Sequence, residues 1–174
     1  MRIIVTSRYE IERMEFKDPC LIISVSTPPD PGPELETCIM LFARTGARNG
    51  IAGIHRTQFR DVDPQAIARE GEYRGDAFDP MTGEPITPKM LIEESMSLAQ
   101  AQDILESVDF WKRQGIDLFY IHCDAGHSRS PGIATALCRI YGLDERDFGP
   151  ENGKQPNQHV ISLIMRAHRD PKGI

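Results

Sequence analysis

The stretch DLFYIHCDAGHSRSPGIATALCRIYG, residues 117–142, changes character twice along its length. Residues 117–122 (DLFYIH) carry the apolar and aromatic run 118–121, which is how a strand buried on both faces reads. Residues 133–141 suit a helix, and Gly142 after them suits the left-handed conformation that closes one. Between the two lies a short, small and polar segment. A buried strand passing through a tight loop into a helix is the unit from which α/β folds with parallel sheets are built.

Working outward, residues 20–26 (CLIISVS) are a second continuous β-branched run, bounded by Asp18-Pro19 and Pro28-Pro29, and read as the central strand. Residues 2–6 read as a short strand. Ser7 and Glu10 then have the form of a capping box opening a helix through about Phe16. Residues 28–33 are loop, residues 34–47 admit either a strand or a helix, and residues 51–59 alternate as a further strand. Thr87-Pro88 supplies the cap and first-turn proline of a helix whose Leu91, Leu98, Ala101, Leu105, Val108 and Trp111 recur at helical spacing and which stops at Gly115. Pro156-Asn157 opens a last amphipathic helix reaching about His168. The expectation is one α/β domain over residues 1–174, with a mainly parallel central sheet flanked by helices on both faces. A long loop insertion rich in charge, Gly and Pro occupies about residues 60–86.

The chain has 174 residues, enough to bury roughly 70% of its unfolded surface without disulfides or a structural metal. Twenty basic against 26 acidic residues give a net charge of -6, which argues against a broad nucleic-acid face. Cys20, Cys38, Cys123 and Cys138 show no CxxC pair and no cysteine-histidine pattern at zinc spacing, so no metal and no other cofactor is expected. The N-terminal apolar run is too short for a signal sequence, and no window approaches the roughly 20 apolar residues of a membrane span. The reading is a cytoplasmic monomer with its thiols reduced and no membrane partner.

The chemistry concentrates at residues 122–130. Five residues between Cys123 and Arg129, namely Asp124, Ala125, Gly126, His127 and Ser128, can wrap so that successive N–H groups point inward at a helix N-terminus. Such a nest suits a tetrahedral dianion. Gly126 permits the tight curvature, and Arg129 offers a planar fork for two phosphate oxygens. The same positive surroundings favour thiolate at Cys123, making it a nucleophile aimed at phosphorus.

This segment resembles the cysteine-based protein phosphatases, whose signature is His-Cys, two residues, Gly, two residues, Arg, then Ser or Thr. Every fixed position is matched, by His122, Cys123, Gly126, Arg129 and Ser130. The resemblance implies a phosphocysteine intermediate on Cys123, phosphoryl binding by Arg129, and help from Ser130 in thiolate departure. It also implies that His122 orients the loop and tunes the thiol by hydrogen bonding. Element order along the chain looks like a compact bacterial-type dual-specificity phosphatase, apart from the long insertion. A rhodanese-type sulfur carrier would have a shorter loop, and low-molecular-weight tyrosine phosphatases carry theirs near the N-terminus.

The implied reaction needs a carboxylic acid for the leaving oxygen. Asp61, in Phe59-Arg60-Asp61-Val62, matches the position at which the resembling proteins carry theirs, and it follows a strand whose C-terminal end belongs beside the nest. Asp63 is an alternative, as are Asp76 and Asp79 in the insertion. The expected substrate is a phosphorylated protein, phosphotyrosine first. The alternatives are a non-protein substrate (an RNA 5′-phosphate or a phosphorylated metabolite) and an inert phosphate-binding module.

Asp124 puts a negative charge at the mouth, which disfavours inositol phospholipids. His127 is expected on the rim, Ser128 as a loop-stabilising hydroxyl, Asn157 as a helix cap and Cys138 as core packing. Tyr73 and Phe78 could grip a substrate ring, and Cys20 or Cys38 could trap an oxidised Cys123 as a disulfide.

Overall fold

The structure, a computed structural model, describes residues 1–27, 50–65, 67 and 86–171. Among these, four strands form one all-parallel sheet: β1 (Arg2–Ser7), β2 (Cys20–Ser26), β3 (Ile51–Gln58) and β4 (Leu118–Cys123), in the order β1-β4-β2-β3. The fold class is therefore the α/β one expected, and the two continuous apolar runs, β2 and β4, are the interior pair. Their continuity has a direct cause. Leu21, Ile23 and Val25 of β2 pack with Phe119 and Ile121 of β4 in the larger core, whereas Cys20 and Ile22 join Leu118 in a smaller core with Ile11 and Phe16. Each such large side chain contributes about 1.5–3 kcal/mol by leaving water.

The larger core is closed by α3 (Leu98–Arg113), α4 (Arg129–Tyr141) and α5 (Gln158–Arg169), through Ile104 and Val108, Ile133 and Leu137, and Val160 and Ile164. The smaller core is closed by α1 (Arg8–Ile11) and the segment after it. Helix α4 packs against β4, β1 and α5, and its residues from Arg129 to Cys138 are all buried.

Several elements differ from their sequence-based boundaries. The capping box of Ser7 and Glu10 forms, but the helix it opens ends at Ile11 rather than near Phe16. Phe16 must leave the helix to pack edge-on against Tyr120 with ring centroids 5.1 Å apart, and its carbonyl accepts from the Gly50 amide. The long helix expected from Thr87 to Gly115 is two, α2 (Pro88–Glu93) and α3. Ser97 and Gln100 make a second capping box that starts α3 afresh, while the Glu94 carbonyl accepts from the Arg60 amide. Helix α4 begins at Arg129 rather than 133, since Pro131 is tolerated in a first turn, where its missing N–H has no intrahelical partner to lose.

Within the expected insertion, residues 64, 65 and 67 are helical, and the Ile67 amide donates to the Asp63 carbonyl. The expectations for residues 28–33 and 34–47, for Cys38, and for Tyr73, Asp76, Phe78 and Asp79 lie outside the described residues. No described helix is long and apolar enough to cross a membrane.

Because all four strands are parallel, their C-terminal ends share one edge. The register sets Ser7 beside Cys123 and Ser26 beside Gln58. In parallel α/β sheets this edge is where ligands bind.

Candidate active site

The loop of residues 124–128 leaves β4 at this edge and enters α4. Gly126 has φ +72°, and a β-carbon there would lie 2.8 Å from the Thr6 carbonyl oxygen, so only glycine lets the loop turn this close to β1. Its carbonyl accepts from Lys154 Nζ at 2.9 Å. Ser128 occupies the cap position of α4 but does not cap it. Its hydroxyl donates instead to Asp61 Oδ1 at 2.7 Å, which leaves the first amides of α4 without a side-chain cap.

Cys123 is buried at the end of β4, with Sγ 3.2 Å from the Ser130 hydroxyl, itself fully buried in the first turn of α4. Arg129, buried beside them, is gripped from two strand ends. Its Nη1 donates to Thr27 Oγ1 at 3.0 Å, just past β2, and to the Phe59 carbonyl at 2.9 Å, just past β3. The opposite edge of the guanidinium carries Nη2, paired with the Asp124 carboxylate, and Nε, which is buried with no hydrogen-bond partner among the described residues. An Nε/Nη2 edge is the one that meets two oxygens of a phosphate or carboxylate in parallel.

Asp61 lies just past β3 and reaches the loop. Its Oδ1 accepts from Ser128 Oγ and, at 2.9 Å, from Asn157 Nδ2. Asp63 spends its Oδ1 on the Gln65 amide at 2.9 Å, the habit of an aspartate that opens a turn. His127 is exposed, with Nδ1 3.2 Å from the Gly153 carbonyl, a rim position. Ala125 is exposed on the loop.

His122 is buried, and among the described residues neither ring nitrogen has a partner in hydrogen-bond geometry. Burial, then the nearby Arg8 charge, lower its pKa from 6.5 to about 4, against weaker opposing pulls from Asp124 and the Cys123 backbone. The imidazole is neutral near pH 7.

Asn157 does more than the sequence suggested. It caps α5 by accepting from the Val160 amide at 3.1 Å, and its amide group also donates to Asp61 and, at 3.3 Å, to the Val62 carbonyl. Thr27 and Lys154 were likewise not singled out beforehand. Their contacts join residues far apart in the chain, and no spacing rule reveals them. Cys20 lies in the smaller core and Cys138 in the larger one, and burial raises both thiols to about 11. Among the described residues no group of three His, Cys, Asp or Glu could hold a metal ion.

A thiol beside a hydroxyl, a buried guanidinium edge, uncapped helix amides and a carboxylate at the lip can together hold a tetrahedral oxyanion over sulfur. The fold and site define an α/β protein whose cysteine- and arginine-bearing loop lies at the C-terminal edge of its parallel sheet. No family model matches the sequence, and no curated protein matches it. Among solved structures, the chain is similar to Tk-PTP in its active form, with a TM-score of 0.42 and 16% identity over 94% of this chain and 90% of that one. It is also similar to PTPMT1 in complex with PI(5)P, with a TM-score of 0.46 and 12% identity over 98% and 92% of the two chains. These are distant likenesses, and the chemistry of the site rests on its own residues.

Proposed function

We propose that the chain is a cysteine-dependent phosphomonoester hydrolase, acting first on phosphotyrosyl protein and also on other phosphorylated side chains. The observation that carries this reading is the Cys123 sulfur, 3.2 Å from the Ser130 hydroxyl, next to a buried Arg129 whose Nε has no partner. Sulfur attacks phosphorus as the bond to the ester oxygen breaks, and Asp61 supplies that oxygen with its proton. The Arg129 edge and the loop amides from Asp124 to Arg129 hold the three remaining phosphoryl oxygens. In the second step water attacks the phosphocysteine, Asp61 takes a proton from it, and the S–P bond breaks. Ser130 donates a hydrogen bond to the departing sulfur.

Asp61 is favoured over Asp63 because its carboxylate is tied to the loop itself by Ser128, whereas Asp63 serves a backbone turn. Among the described residues the hydrogen bonds to Asp61 fall on Oδ1, leaving Oδ2 for the leaving oxygen. His122 is a positioning residue, a neutral imidazole buried in β4 beside Cys123.

The test is a substrate panel of phosphotyrosyl, phosphoseryl and phosphothreonyl peptides, a 5′-phosphorylated oligoribonucleotide and small sugar phosphates. The expected result is the highest kcat/KM for a phosphotyrosyl peptide. A preference for the RNA end or a sugar phosphate would overturn the substrate assignment. Phosphate binding without hydrolysis of any of them would overturn the enzyme.

A further inference from the structure

We infer that Asp124 is a built-in competitor for the phosphoryl site, its carboxylate holding the half of the Arg129 fork that substrate must take and moving to Arg8 when substrate binds. The inference rests on the phosphatase reading and adds a regulation of that same site.

The guanidinium has little freedom to present another edge. Nη1 is fixed by Thr27 and by the Phe59 carbonyl, so an incoming dianion can meet Arg129 only along Nε and Nη2. Nη2 is paired with Asp124 Oδ2, and Nε is buried and unpartnered. Thr27 reinforces the arrangement. Its hydroxyl accepts from Arg129 Nη1 and donates to the same Asp124 oxygen at 3.2 Å. A carboxylate and a phosphoryl group cannot share this edge, because they need the same N–H donors and repel each other.

A route for the carboxylate to leave is also present. Asp124 Oδ1 lies 3.8 Å from Arg8 Nη1, and its side chain is 46% exposed against 5% for Arg129. The Asp124 carbonyl accepts from the Arg8 amide at 3.2 Å, which pins the backbone and leaves the side chain to move alone. A side-chain rotation therefore exchanges a buried arginine for one that is 30% exposed and frees the fork. Every anion that enters, substrate or product phosphate, must first displace Asp124, so the contact weakens binding and speeds product release.

The test is the affinity of the intact protein for inorganic phosphate, measured by titration calorimetry, with KM for para-nitrophenyl phosphate alongside. Asp124→Asn and Asp124→Ala should each bind phosphate about tenfold tighter or more, the worth of a displaced charge-assisted hydrogen bond, and KM should fall in parallel. Arg8→Ala should weaken phosphate binding more in the wild-type background than in the Asp124→Asn background, since the hand-over then has no acceptor. Equal or weaker phosphate binding in both Asp124 variants, or Arg8 effects of equal size in the two backgrounds, would overturn the inference while leaving an active phosphatase intact. If wild type and variants neither bind phosphate nor hydrolyse ester, the phosphatase reading falls as well.

Discussion

Replacing Asn157 separates a stabilising role from a catalytic one. Its Oδ1 caps α5 through the Val160 amide, and its Nδ2 tethers Asp61 and the Val62 carbonyl. Serine keeps a capping oxygen and loses the tether, whereas alanine loses both. A lost cap costs about 1 kcal/mol, or about 2–4 °C in Tm for a chain of this size, so Asn157→Ala should melt by about that much below Asn157→Ser. The tether ends on a carboxylate, for which hydrogen bonds are worth about 1.5–3 kcal/mol, but Asp61 is exposed and water competes, which leaves about 1 kcal/mol. If that energy positions the general acid, both variants lose about fivefold in kcat/KM on an alkyl phosphate. They should lose much less on para-nitrophenyl phosphate, whose leaving oxygen hardly needs a proton. The assay is steady-state hydrolysis of both esters together with thermal melts. Equal losses on the two esters, or an Asn157→Ser variant indistinguishable from wild type on the alkyl ester, would refute Asn157 as the support of the acid.

Gly126→Ala forces a side chain into φ +72° and sets its β-carbon 2.8 Å from the Thr6 carbonyl oxygen, so the left-handed strain of about 1–2 kcal/mol adds to a backbone clash. A lowered Tm with phosphate binding abolished in calorimetry is expected. His122 should give the fold a specific acid sensitivity: burial holds its folded pKa at about 4, below the 6.5 of the unfolded chain, so its contribution is complete above pH 6.5. About 3 kcal/mol is then lost as pH falls from 6.5 to 4, and urea unfolding at several pH values should show that loss reduced in His122→Gln. Ser130→Ala, which removes the hydroxyl 3.2 Å from Cys123 Sγ, should slow breakdown of the phosphocysteine more than its formation. Stopped-flow traces should then show a nitrophenol burst of about one equivalent.

What could be read from the sequence was what is local. The strand, loop and helix from Leu118 to Tyr141 are contiguous, and so is every residue of the loop between Cys123 and Arg129. Asp61 could be placed near the loop because it lies three residues past the end of β3, and parallel strands bring their C-terminal ends together. Helix breaks were harder. Leu91 and Leu98 are seven apart, so the apolar period runs unbroken across a chain that stops at Glu93 and restarts at Leu98. The signal was present in Ser97 and Gln100, which have capping-box spacing. By contrast, the grip of Thr27 and Phe59 on Arg129, the Lys154 bond to Gly126 and the double duty of Asn157 all cross long stretches of chain. Only the assembled sheet edge brings them together. The Asp124 contact with Arg129 is local but hidden for another reason: the sequence shows a negative charge in the loop, not which way its side chain turns.

The central claim is that Cys123 carries the phosphoryl group. The direct measurement is acid-quenched turnover of para-nitrophenyl phosphate in the presence of chelator, with peptide mass spectrometry of the quenched protein. The expected result is phosphate on the peptide containing Cys123, and no hydrolysis by Cys123→Ser. Full activity in Cys123→Ser, or phosphate trapped on any other residue, would contradict the account.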